Sequence, residues 1–241
     1  YLPALSGQRF CLFHQPDAQN VKRGAVVYIH PFAEEMNKSR RMAALQARAL
    51  AAAGFAVLQI DLHGCGDSSG DFGEASWKSW ICDVKLASDW LRQRCETDLW
   101  LWGLRSGCLL ACDAASRISY PTNLLFWQPV VSGRQFLQQF LRMKLAGEML
   151  GGESKGLMDR LRKELAQGES VEIAGYLLSP DLAGGLEQAE FSPPVSSGRI
   201  EWIELSAKTD GSLSLLATER LKKWQSEGLN ARGQLVCGPA F

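Results

Sequence analysis

Six short runs of this chain read as strands, several of them apolar almost without interruption: "AVVYIH" (25–30), "AVLQID" (56–61), "LWLWG" (99–103), "NLLFWQ" (123–128), "IEWIEL" (200–205) and "GQLVCG" (233–238). A strand with one wet face alternates apolar and polar residues, whereas a strand covered on both faces does not. The segments between the runs carry helical periodicity. Residues 37–53 are rich in Ala and Leu and end at Gly54, a residue suited to the position just past a helix. "ASWKSWICDVKLASDWLRQR" sets Trp77, Trp80, Ile81, Val84, Trp90 and Leu91 near one helical stripe, which reads as core packing. Further helices are expected over 106–117 and 213–226. Buried strands alternating with helices predict an α/β fold, a mostly parallel sheet flanked by helices. "RFCLFH" (9–14) adds a leading antiparallel strand.

The alternation breaks between about 131 and 195. "RQFLQQFLRMKLAGEML" and "GLMDRLRKELAQG" are amphipathic, with Gly151-Gly152 between them. "VEIAGYLL", a helix start at Ser179-Pro180 and a Pro/Ser/Gly loop follow. An insertion after a central strand is expected to lie over the strand ends as a helical cap. The predicted division is therefore a core of 1–130 and 196–241 with a cap of 131–195. A chain of 241 residues suits one such domain.

Composition narrows the partners. Lys plus Arg and Asp plus Glu both number 26, so no global field recruits nucleic acid or an anionic membrane. No apolar run approaches the roughly 20 residues of a membrane-spanning helix. Seven cysteines, an odd number without a C-x-x-C pair, favour reduced thiols and a cytoplasmic setting. Cys108 and Cys112 share a helical face with no histidine near them, so a core role is expected and no metal site. The chain begins at Tyr1 and stops in "VCGPAF", which leaves room for residues on either side.

Three strand-end motifs carry the chemistry. "YIHPFAEEMNKSRR" leaves one buried strand, and "DLHGCGDSSGDF" (61–72) leaves another with a tight D-x-x-G-x-G-x-S turn. The third is "GLRSG", where an apolar strand meets a helix. Such a turn needs small residues two before and two after its tip, because strand and helix backbones nearly touch. Gly103 and Gly107 meet that need with Arg105 at the tip. A tip at Ser106 would put Leu104 and Cys108 at the tight positions.

The ordered set resembles the α/β-hydrolase fold over nearly the whole chain. In that fold the tip residue is the nucleophile, followed along the chain by an acid and then a histidine. Here His14, His30 and His63 all precede the tip, and Asp210 in "AKTDGS" stands where the acid is expected. Asp210 reads equally well as a loop-capping residue. At a finer level, "HPFAEEMNKSRRM", "LQIDLHGCGDSSGDF", "LWGLRSG" and "VEIAGYLLSP" resemble the exosortase A system-associated hydrolases, type 2. That resemblance implies Arg as a family trait at the tip. It also implies a setting of bacterial exopolysaccharide biosynthesis and PEP-CTERM protein sorting.

Two functions follow. In the first, a degenerate hydrolase scaffold binds a small anionic ligand under the cap, with Arg105, Phe32, Glu34, Glu35 and Ser106 as its contacts and no metal or organic cofactor. A guanidinium is a poor nucleophile and a good bidentate partner for carboxylate or phosphate. In the second, a non-standard hydrolase of an ester, thioester or amide uses Ser106 or water, with His30 or His63 as base. The structural alternative for Arg105 is an ion pair with Glu34 or Glu35, while Asn37 or Ser39 caps the following helix.

Overall fold

The computed structural model describes residues 1–16, 22–148, 156–207 and 211–238. Its strands are β1 (Leu2–Pro3), β2 (Gln8–Arg9), β3 (Cys11–His14), β4 (Gly24–Ile29), β5 (Phe55–Ile60), β6 (Leu99–Leu104), β7 (Asn123–Trp127), β8 (Val171–Ile173), β9 (Tyr176–Leu178), β10 (Arg199–Ser206) and β11 (Asn230–Cys237). Its α-helices are α1 (Glu34–Ala52), α2 (Trp77–Arg92), α3 (Gly107–Ala115), α4 (Gly133–Glu148), α5 (Leu157–Ala166), α6 (Pro180–Gln188) and α7 (Leu215–Ser226).

The central sheet has seven strands in the order β3-β5-β4-β6-β7-β10-β11. Only β3 runs antiparallel, against β5; each of the other neighbouring pairs is parallel. The expected strands are all present, and the architecture is an α/β-hydrolase fold. "RFCLFH" is two pieces, because β2 pairs with β1 whereas β3 pairs with β5.

The sheet is covered unequally. Residues of α2, α3 and α7 join one large core with Ile29, Leu101, Leu124, Phe126 and Trp202. On the opposite face, Ala43 and Ala47 of α1 pack on Val26, Tyr28, Val57, Trp102 and Leu104. The tryptophan stripe of α2 is core, with Trp77 and Trp80 buried. Cys108 and Cys112 are buried as well, and the thiols of the described residues are free of disulfides. Among the described residues no helix is long and apolar enough to cross a membrane.

The described residues of the 131–195 segment share the large core: Phe136, Leu157, Ile173 and Leu182 belong to it. "VEIAGYLL" is the hairpin β8–β9, turned by Ala174 and Gly175, both at positive φ. Ser179 starts α6 as expected, its hydroxyl accepting from the Leu182 amide at 3.2 Å with Pro180 in the first turn. Gly151-Gly152 lies outside the described residues.

Candidate functional site

The strand-to-helix turn after β6 is tight. A Cβ on Gly103 would lie 2.6 Å from the Cys108 Cα, and one on Gly107 would lie 2.8 Å from the His30 carbonyl oxygen and nearer still to that of Ile29. Between them Arg105 sits at φ 54°, a left-handed conformation that costs an L-residue roughly 1–2 kcal/mol. Backbone bonds hold it there: the Arg105 amide donates to Trp127 at 3.0 Å, and its carbonyl accepts from Val130 at 3.2 Å.

The Arg105 side chain turns toward α1. Its Nε and Nη2 both donate to Glu35 Oε1, at 3.3 and 3.1 Å. The partner expected for an Arg at a strand end is therefore Glu35. Glu34 instead accepts from the Tyr176 hydroxyl at 3.4 Å, and that hydroxyl accepts from Asn37 Nδ2 at 3.2 Å. Burial and the Glu34 carboxylate together push the Tyr176 phenol up, so it stays protonated. The expectation that Asn37 or Ser39 caps α1 is corrected. The helix starts at Glu34, behind Ala33 at φ 49° with no side-chain cap, which puts both residues inside it. Ser39 donates to the Met36 carbonyl at 3.1 Å, within the same helix.

Arg105, Glu34, Glu35 and Phe32 line one cleft of about 330 Å³. Its other walls are Lys38 of α1 and Phe136, Gln139, Phe140 and Met143 of α4. The α4 wall is absent from the sequence-derived set. Phe136 and Phe140, four apart on an amphipathic helix, were the available signal. Phe32 ties the two sides together, edge-on to Phe136 at 5.9 Å and to Phe140 at 5.0 Å.

Ser106 is buried, and its hydroxyl accepts from the Phe32 amide at 2.9 Å. That amide belongs to the loop which, in hydrolases of this fold, supplies one oxyanion donor. The histidines are placed elsewhere. His30 Nε2 accepts from the Leu62 amide at 3.2 Å, which puts the proton on Nδ1, donating to the Pro31 carbonyl at 2.8 Å. Burial lowers its pKa, so the ring is neutral. His63 is also buried; its amide donates to Asp83 at 2.7 Å, its carbonyl accepts from Trp80 Nε1 at 3.0 Å, and its ring lies against Gly70. Neither histidine is hydrogen-bonded to Ser106 in the described residues. Asp210 lies outside them. The D-x-x-G-x-G-x-S turn is a self-bonded loop: Asp61 accepts from the Asp67 amide and from Arg40, each at 3.1 Å.

The model of one family, described as serine aminopeptidase, S33 (Hydrolase_4), matches residues 20–155. That is more than half of the 241-residue chain. The chain belongs to this S33 family. No curated protein matches it. Among solved structures, it is similar to Est1E from Butyrivibrio proteoclasticus with bound ferulic acid, at 14% identity and a TM-score of 0.64, over 95% of this chain and 86% of that one. A thermostable carboxyl esterase from Bacillus coagulans aligns with a TM-score of 0.62 at 14% identity, over 97% and 86%. A soluble variant of the Saccharomyces cerevisiae monoglyceride lipase aligns with a TM-score of 0.61 at 15% identity, over 99% and 84%. At such identities the likeness is one of fold. This S33 member accordingly has an α/β-hydrolase scaffold, with an arginine at the tip of the turn between β6 and α3.

Proposed function

We propose that this protein binds a small anionic ligand in the cleft beside Arg105 and does not run Ser-His-Asp hydrolysis. The observation that carries the reading is Arg105 itself, held at the tip of the turn with its guanidinium in an aromatic-walled cleft. Two further facts support it. The Phe32 amide is occupied by the Ser106 hydroxyl, and both ring nitrogens of His30 are committed to backbone groups. We extend the proposal to a cytoplasmic role in a bacterial exopolysaccharide or exosortase system, on the strength of the motif resemblance alone. The insertion serves in it as the cap that shields the cleft from water.

Membership of the S33 family favours a second reading, a hydrolase that uses Ser106 or water with His30 or His63. One experiment separates the two. Hexanoate and inorganic phosphate are titrated by calorimetry into the parent, Arg105→Lys and Arg105→Met proteins, each checked for folding. Losing the guanidinium from a shielded anion costs about 2–5 kcal/mol of binding. Lys retains part of the attraction without the bidentate geometry. Equal affinity for both anions in all three proteins would sink the anchor. Fluorophosphonate labelling at Ser106, abolished by Ser106→Ala, would establish the hydrolase instead.

A further inference from the structure

The ion pair that lines the cleft is only half made. A guanidinium fork meets a carboxylate best through two parallel bonds, one to each oxygen. Here both Arg105 donors fall on Glu35 Oε1, at 3.3 and 3.1 Å, while Glu35 Oε2 is buried without a partner. The two side chains are 30% and 34% exposed, so water weakens the pair further. Three residues along the same helix stands Lys38, which also lines the cleft and has no side-chain partner among the described residues. Residues three apart on a helix are neighbours, so Lys38 is a second cation within reach of Glu35. The same cleft is also lined by Phe32, Phe136, Phe140 and Met143, with Gln139 the polar residue among them.

From this geometry we propose that Glu35 is a built-in competitor for the Arg105 site, and that the ligand able to displace it is a monocarboxylate with an apolar tail. The inference rests on Arg105 as an anion anchor, and adds the class of ligand and the residue that sets the threshold for binding. A tethered carboxylate competes at a high effective concentration. A short acid offers Arg105 nothing that Glu35 does not already supply. An acid with a tail adds burial against the α4 wall, and each buried methylene is worth about fourfold in affinity. The displaced Glu35 passes to Lys38, so its charge is not stranded.

The test is calorimetric titration of acetate, butyrate, hexanoate and octanoate into the parent, Glu35→Gln and Met143→Gln proteins. In the parent, affinity is expected to climb with chain length by about fourfold per methylene until the wall is covered. Glu35→Gln keeps that increment and binds every member about fivefold tighter, the worth of a partly exposed pair. Met143→Gln changes an exposed wall residue, so the fold stays intact and the increment flattens. Equal affinity along the series overturns the tail, and unchanged affinity in Glu35→Gln overturns the competitor. Either result leaves the anchor standing provided Arg105→Met still weakens hexanoate. No binding of any acid to any of the three proteins overturns the inference and the anchor together.

Discussion

At the scale of single residues, His30 shows how a reactive side chain is taken out of service. It is one of the two candidate bases, and it directly follows the buried strand β4. Both ring nitrogens are nevertheless spent on backbone groups, and burial lowers its pKa. Unfolded, the same histidine takes up a proton near pH 6.5, while in the fold it resists one. Its contribution to stability is therefore complete above that pH and is lost as the pH falls toward the folded value, at up to about 1.4 kcal/mol per pH unit. His30→Gln offers a donor and an acceptor but does not titrate. Urea unfolding between about pH 7 and pH 5 is expected to show a shallower decline for the variant than for the parent. Parallel profiles would mean that His30 titrates normally in the fold.

At the scale of elements, the turn joining β6 to α3 is a contact between backbones. A methyl group at Gly107 would run into the carbonyl oxygens of Ile29 and His30, the last residue of β4 and the one after it. Neither belongs to a side chain that can swing away. Gly107→Ala is therefore expected to cost on the order of 3 kcal/mol, read as a lower urea midpoint at unchanged slope. A loss below 1 kcal/mol would show that β4 and α3 can part without penalty. The glycine spacing was legible in the sequence because the steric demand is local: two strands and a helix converge, and only residues without a Cβ fit. The start of α1 was not legible. It begins at Glu34 without a side-chain cap, so the usual Ser/Asn signal was displaced to positions inside the helix, where Asn37 serves Tyr176 instead.

At the scale of the whole molecule, a buried ion pair joins the N-terminal hairpin to the core, alongside the Gln8–Ser69 bonds and the buried Leu2. Arg9 Nε donates to Asp83 Oδ1 at 2.7 Å with both side chains almost inaccessible, and Asp83 Oδ2 accepts from the His63 amide at 2.7 Å. β2, α2 and the loop after β5 thus meet at one carboxylate. Arg9→Met removes the cation and leaves that carboxylate buried with a single amide donor, which is expected to cost about 3–5 kcal/mol. Chemical denaturation of parent and variant measures it. A change under 1 kcal/mol would mean that Asp83 is held well enough by the His63 amide alone.

The sheet, its flanking helices and the tip of the turn are all legible in the order of the residues. Runs buried on both faces, helical periodicity and glycines at a backbone contact are local consequences of burial and sterics, and they read out in one dimension. What Arg105 touches is fixed only when α1 packs beside the turn. Glu34 and Glu35 are adjacent in the chain and chemically equivalent, yet a helix turns successive side chains by about 100°. One faces Arg105 and the other faces Tyr176 of the β8–β9 hairpin. The aromatic wall likewise comes from α4, roughly a hundred residues from Phe32 along the chain, where helical periodicity records which face is apolar but not what that face covers. The tautomer of His30 and the occupation of the Phe32 amide belong to the same category. Each depends on a hydrogen bond between segments that no sequence window contains.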